Sequence, residues 1–291
     1  MTPVRLPEWV QKRAAHHESL HVLKSGLRVR GLHTVCESAR CPNIHECFHR
    51  GTATFLILGN LCTRGCGFCS VPKAAGGGQL PPDPHEPAQV ARMAAELRLR
   101  YVVITSVTRD DLSDGGAAHF ASTVRAVRAA LPEARIEILT PDFQGDRAAI
   151  REVLDSSPDV FNHNIETVPR MYARVRPQAG YARSLEVLRF AREYRPETIV
   201  KSGLMVGLGE SGAEVKQALA DLRRAGVDVV TIGQYLRPTR HNLPVAEYVA
   251  PAQFDAYRAA GERLGFKMVF SGPLVRSSYM ADDVFTRAGQ P

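Results

Sequence analysis

From residue 53 onward, short runs rich in β-branched and aromatic residues alternate with segments of helical period, and this alternation leaves few folds open. The runs are ATFLILG (53–59), YVVITSV (101–107), RIEILTP (135–141), DVFNHNIE (159–166), TIVKSGLMVG (198–207) and VDVVTIGQYL (227–236), and FKMVFSG (266–272) closes the series. Between them, Val90, Met93, Ala94 and Leu97 fall at i, i+3, i+4, i+7, as do Val215, Ala218, Leu219 and Leu222. Each set makes one apolar stripe on a helix. The second helix has a capping-box start, Ser211-x-x-Glu214, and a glycine stop at Gly226. A repeated strand–helix–strand order implies a parallel sheet covered by helices. About six βα units fit, so the expectation is an α/β fold, a partial (β/α)6 TIM-like barrel. Such barrels carry their chemistry at the C-terminal ends of the strands. A cysteine-rich loop follows the first strand, residues 162–166 end the fourth and 207–210 end the fifth, so the unusual residues are expected on one rim. The one flexible-looking stretch is AAGGGQLPPDP (74–84).

With 291 residues and 44% hydrophobic content, the chain is long enough for a substantial core. No apolar run approaches the roughly 20 residues of a membrane span, and MTPVRLPEWVQKR lacks the apolar core of a signal peptide. A cytoplasmic location is expected, with no membrane partner. Thiols are kept reduced there, so clustered cysteines read as metal ligands before disulfides. The net charge is +7, and residues 1–50 supply +4 of it, eight Lys/Arg against four Glu, together with six of the ten histidines. Such a face either steers an acidic protein partner or is a solvated surface that aids solubility. Nucleic acid is not expected, because no aromatic stacking residues are interleaved with the charges.

All six cysteines lie within residues 36–69. Cys62-x3-Cys66-x2-Cys69 offers three thiolates from one loop, with Gly65 and Gly67 between them. Three ligands on a four-iron cluster leave one iron open to a substrate or cofactor. A zinc site remains the alternative, with His45 or His49 as fourth ligand. The C-x3-C-x2-C spacing, with Phe68 before the last cysteine, resembles the radical S-adenosylmethionine (SAM) enzymes. In that family the open iron chelates SAM, and one electron releases a 5′-deoxyadenosyl radical. Upstream, TVCESARCPNIHECF holds Cys36-x4-Cys41-x5-Cys47. Two incomplete triplets argue for two clusters; a single six-cysteine zinc knuckle would have to enclose the strand ATFLILG.

The paired motifs resemble the lipoyl synthase family. GLHTVCESARCPNIHEC, ATFLILGNLCTRGCGFCSV, TSVTRDDLSDGGA, FNHNIETVPR, KSGLMVGLGE, GQYLRPTRHNLPV and GPLVRSSYMA match its segments in order, across roughly residues 30–283. His45 stands where the family usually has a glycine, and residues 1–30 are less alike.

The resemblance implies a sulfurtransferase of lipoate biosynthesis and protein lipoylation. It would insert two sulfurs at carbons 6 and 8 of a protein-bound octanoyl-lysine, using two SAM and two 4Fe-4S clusters, the auxiliary one consumed as sulfur donor. Cys62, Cys66 and Cys69 are then the radical-cluster ligands. Cys36, Cys41, Cys47 and Ser278 hold the auxiliary cluster, Ser277 being the alternative serine, and Arg276 joins Ser278 as a catalytic candidate. Asn164, Glu166, Lys201, Gly207, Gly209 and Glu210 are the SAM-contact candidates, with a paired buried lysine as the other reading of Lys201. Arg237 and Arg240 either border a substrate tunnel or cap a strand end, and Asp110 and Asp111 are either pocket acids or part of the turn at Gly115-Gly116. The implied organisation is an N-terminal extension (1–50) with auxiliary ligands, a barrel (51–265) and a C-terminal extension (266–291) with the RSSY segment. Implied partners are octanoylated carrier domains (E2 subunits of 2-oxoacid dehydrogenases and the glycine cleavage H protein), docking near Arg28 and Arg30; an electron donor such as ferredoxin or flavodoxin; and an iron–sulfur carrier. The rivals are a biotin-synthase-like or methylthio-transferring enzyme and a non-catalytic metal scaffold.

Overall fold

The computed structural model describes residues 6–10, 32–35, 43, 46–47, 52–74 and 80–278. Cys36, Cys41, His45, Arg28, Arg30 and Tyr279 therefore lie outside the described residues. The elements run β1 (His33–Thr34), β2 (Thr52–Ile57), α1 (Glu86–Glu96), β3 (Tyr101–Ser106), α2 (Ala117–Ala130), β4 (Arg135–Leu139), α3 (Arg147–Asp155), β5 (Val160–Asn162), the one-turn α4 (Tyr172–Val175), α5 (Tyr181–Tyr194), β6 (Ile199–Val206), α6 (Gly212–Arg224), β7 (Val229–Gln234), α7 (Pro251–Arg263) and β8 (Met268–Gly272).

The sheet order is β1 to β8 in sequence. Strands β2 to β8 are all parallel, with registers such as Thr52↔Tyr101, Asn162↔Lys201 and Val229↔Met268. Six βα units are thus followed by a seventh parallel strand, and residues 268–272 pair with β7 although they fall in the expected C-terminal extension. The short β1 was not legible in the sequence. It runs antiparallel to β2, with His33↔Leu56, and brings the N-terminal segment against the strand that feeds the cysteine loop.

Alternation along the strands divides two environments. Phe55, Ile57, Val102, Ile104, Ile136, Ile138, Val200 and Val230 are buried in the main core with Val90, Phe120, Val124, Leu154, Leu188, Val215 and Leu219 from the helices. The intervening residues Tyr101, Glu137, Asn162, Lys201 and Thr231 put polar groups on the other face, all of them buried. The expected stripes are confirmed: Val90, Met93 and Ala94 are buried on α1, with Leu97 at its C-cap, and Val215, Ala218, Leu219 and Leu222 are buried on α6. Ser211 and Glu214 make the full capping box, worth about 1 kcal/mol. Among the described residues, no helix is long and apolar enough to cross a membrane.

Candidate active site at the C-terminal rim

The cysteine loop leaves β2 through two successive left-handed residues, Leu58 (φ +66°) and Gly59 (φ +87°). Leu58 is a strained choice there. It is held because its amide donates to Glu86 Oε2 (2.8 Å), which also contacts His119 Nε2 (2.7 Å). Beyond this turn the loop is fastened from outside itself. Thr63 donates its amide to the Thr108 carbonyl, Gly67 to that of Val175, and Gly65 to Gln178 Oε1 (2.7 Å). Asn242 Nδ2 donates to the Cys69 carbonyl (2.9 Å) and that of Gly67 (3.3 Å), and Leu243 N–H also reaches the Gly67 carbonyl (3.0 Å). A Cβ on Gly67 would lie 2.8 Å from the Leu243 side chain, so this close crossing requires glycine. Gly65 has ordinary room.

Arg64, between the first two cysteines, is buried and spans two neighbouring loops. Its Nε and Nη2 meet Asp110 at 2.7 and 2.8 Å, and Nη2 meets Asp142 at 2.6 Å. Burial alone would raise the Asp142 carboxyl, but the hydrogen bond and charge of Arg64 outweigh it and bring it down to about 2. Asp111 is paired with Arg109 (2.7 Å). Asp110 is thus an ion-paired brace of the cysteine loop, and Asp111 is ion-paired within its own loop.

The three thiols are half-buried and not in disulfides. Cys62 Sγ accepts amide hydrogens from Thr108 (3.3 Å) and Arg64 (3.5 Å), and the Val71 amide reaches Cys69. Burial raises the Cys66 thiol, and raises Cys69 to about 11. Metal binding at these thiols therefore has to displace protons. Among the described residues no group of three His, Cys, Asp or Glu side chains is placed to hold a metal ion. A four-iron cluster makes a different demand, three thiolates each facing a separate iron. Three soft, mutually interacting thiols whose loop backbone is already bonded elsewhere fit that demand.

Opposite the loop, the end of β5 carries Asn164 and Glu166. Glu166 is a non-glycine residue at φ +62°. Its backbone is fixed by bonds to Gly203 and Met205 of β6, and strain of this kind gathers at functional positions. Burial raises its carboxyl, opposed by Arg176 and by the Asn164 hydrogen bond. Asn164 Nδ2 donates to Glu166 Oε1 (3.0 Å) and to Ser277 Oγ (2.6 Å), while its Oδ1 is buried without a partner. Gly207 (φ +95°) and Gly209 (φ +113°) form the next turn, and a Cβ on Gly207 would meet Gln234 Nε2 at 2.2 Å. Glu210 folds back to accept the amides of Gly207 and Leu208, so it shapes the turn.

Lys201 is not part of this rim. It is buried one layer deeper, its Nζ 3.0 Å from both oxygens of Glu137. Tyr101 Oη and Asn162 Nδ2 also donate to Glu137, each at 2.8 Å. This is the geometry of the paired-lysine alternative: a cation at the third position of β6 lies two residues below Gly203, where the strand meets Glu166.

The C-terminal segment reaches the same rim. Pro273 accepts from Gln234 N–H, Arg276 Nη1 bonds the Val275 carbonyl (2.6 Å), and Ser277 takes the Asn164 bond. Ser278 is half-buried with no side-chain hydrogen bond among the described residues. Asn43, inside the second cysteine group, donates to the Leu274 carbonyl (2.7 Å) across 231 residues, which brings the loop of Cys47 to the RSSY segment. Arg237 braces its own loop, donating to the carbonyls of Asn242 and Arg240.

Two buried groups here escaped the sequence reading. Arg176 Nη1 donates to the carbonyls of Asn164 (2.8 Å) and Ile165 (3.2 Å), its charge acts on Cys66 and Glu166, and its Nε has no partner. Nothing in YARVRPQ marks it; only the folded chain brings it to the rim. His163 sits between the Thr140 carbonyl (2.9 Å from Nδ1) and Ser184 Oγ (3.0 Å from Nε2). Burial, with the charge of Arg176, lowers it to about 4. The unfolded chain therefore binds an extra proton between about pH 6.5 and 4, and stability present above pH 6.5 falls as the pH drops. Urea midpoints at pH 7 and 5 should show the chain losing about 2 kcal/mol more than a His163→Asn variant; equal losses would remove His163 as the source.

Residues 56–222 match the model of the radical SAM superfamily. A lipoyl synthase of Nitratidesulfovibrio vulgaris is 53% identical, with 97% of this chain and 93% of that protein covered. A lipoyl synthase of Methylococcus capsulatus is 55% identical over 96% and 86% of the respective chains. Among solved structures, methylornithine synthase (PylB) superposes with a TM-score of 0.54 at 14% identity, covering 88% of this chain and 79% of that one, a likeness of fold alone.

Proposed function

The chain belongs to the lipoyl synthase family of the radical SAM superfamily, and on that premise we propose how its rim residues divide the work of inserting two sulfurs into an octanoyl-lysine. It is a radical SAM sulfur-inserting enzyme that uses SAM and 4Fe-4S clusters and acts on a lipoyl-carrier protein. When bound, these groups supply a carbon radical able to open unactivated C–H bonds, and the sulfur that replaces the hydrogen.

Cys62, Cys66 and Cys69 would hold the radical cluster. Asn164 and Glu166 would take the polar groups of SAM, with the 207–210 turn beside them and the partnerless Nε of Arg176 available to its carboxylate. Cys36, Cys41, Cys47 and Ser278 would hold the auxiliary cluster. The observation that carries this division is the Asn164 amide, which bridges Glu166 and Ser277 across 113 residues. It supports a SAM site and an RSSY segment within one side chain of each other, as a radical formed on one side and sulfur held on the other require. It also favours Ser278 over Ser277 as the iron ligand, since Ser277 is engaged by Asn164. Arg276 steadies the segment. In this reading residues 1–50 bring three auxiliary ligands, 51–265 the radical chemistry, and 266–291 the last strand and the serine. Octanoylated E2 domains and H protein are the proposed carriers, a ferredoxin or flavodoxin the reductant, an iron–sulfur carrier the means of rebuilding the auxiliary cluster, and the cytoplasm the site of action.

Iron and sulfide analysis of anaerobically prepared protein tests this division. Two four-iron clusters require about eight irons per chain. Cys41→Ala should retain about half of them, still cleave SAM when reduced, and form no sulfur-containing product. Loss of all the iron, or none, would overturn the two-cluster assignment.

A further inference from the structure

Three separate loops place exposed cations around the outer side of the cysteine loop. Lys73 closes it: Cys62 and Lys73 form a β-bridge, and Lys73 Nζ lies 3.8 Å from where a Cβ on Gly65 would stand. Arg174, at the end of α4, precedes the Val175 carbonyl that receives the Gly67 amide, and its own carbonyl lies 3.3 Å from a Cβ built on Gly67. Arg237, Arg240 and His241 belong to the segment whose Asn242 grips the Gly67 and Cys69 carbonyls. All five side chains are exposed. None of the four Lys and Arg residues makes an ion pair among the described residues. The acids that do touch the loop, Asp110 and Asp142, are paired with Arg64.

Four unneutralised cations around a half-buried loop form a patch of one sign, and such a patch steers partners of opposite charge. Its position says what kind of partner gains by docking there. Among the described residues, the loop is bonded at this side by Gln178 and by the Asn242–Leu243 crossing. A partner seated on it comes within a few residues of the three thiols. We propose that this rim is the docking surface for a small acidic one-electron carrier protein, iron–sulfur or flavin. On each docking the carrier gives up one electron and is oxidised by one, and the cluster held by Cys62, Cys66 and Cys69 is reduced by one. The inference rests on the radical-enzyme reading above and adds where the electron enters. An acidic carrier domain bearing the octanoyl group is the competing occupant. It is disfavoured because its acyl chain must reach Asn164 and Ser277, whereas the rim faces the loop's backbone.

The test is the double reversal K73E/R174E, with reduced flavodoxin as the probe. Flavodoxin affinity and flavodoxin-driven SAM cleavage should both fall at least about tenfold at low salt, with the gap narrowing as salt screens the charges. Dithionite-driven cleavage should be unchanged. Unchanged flavodoxin affinity would overturn the proposal, as would an equal loss with dithionite. So would a loss under dithionite seen with octanoylated carrier protein and not with octanoyl-lysine peptide, which would make the rim a carrier face. Dithionite-driven cleavage by the unaltered chain tests the enzyme reading by itself, so the two ideas fail in separate measurements.

Discussion

Replacing Lys201 by methionine is expected to destabilise the fold by about 3–5 kcal/mol while leaving SAM affinity in the surviving folded protein unchanged. Glu137 is fully buried and receives donors from Lys201, Tyr101 and Asn162. Without the lysine its charge has no counter-charge in a place water does not reach. For a chain of this length the loss is a fall in Tm of about 10 °C. The double variant E137Q/K201M should recover most of it, because a neutral amide still accepts from Tyr101 and no buried charge remains. A cofactor contact predicts the reverse: near-normal Tm for the single variant, weakened SAM binding, and no recovery in the double. Thermal unfolding and SAM titration on the same three proteins separate the two.

Arg176→Leu should lower SAM cleavage by about 10²–10³ fold, the usual effect of removing one preorganised donor from a water-poor site. Arg176 is buried beside Glu166 and Cys66 with an unused Nε. The same substitution strips the Asn164 and Ile165 carbonyls of their donor, so some stability is lost as well. Arg176→Lys keeps the charge without the fork and should fall between the two. The informative comparison is SAM affinity against iron content: the leucine variant should bind SAM far more weakly with its iron intact. Normal affinity with lost iron would move Arg176 from SAM to the support of the cysteine loop.

Much of the architecture was legible because it rests on local patterns. Periodicity located the strands to within a few residues and both helical stripes, and Ser211 and Glu214 marked a helix start that the structure reproduces. The capping box is a contact between residues three apart, so sequence carries it whole. Lys201 marks where local pattern stops, for a related reason. A strand's period of two says which face a side chain is on, but not its depth along a barrel, and depth separated a lysine at the rim from one paired with Glu137.

The rim itself divides in the same way. Sequence alone determined the two cysteine triplets, the glycine-rich turn at 207–210 and the RSSY segment, because each is a short motif whose spacing is its chemistry. It also determined the family, since those motifs occur in order. Only tertiary structure decided what joins them: Asn164 reaching Ser277 across 113 residues, Asn43 reaching Leu274 across 231, Arg64 drawing Asp110 and Asp142 to the cysteine loop, and Arg176 arriving beside Glu166. Each is a hydrogen bond or ion pair between groups ordinary in their own stretch of chain. Their partners are set by which loops the parallel sheet brings to the same end, and no local spacing encodes that.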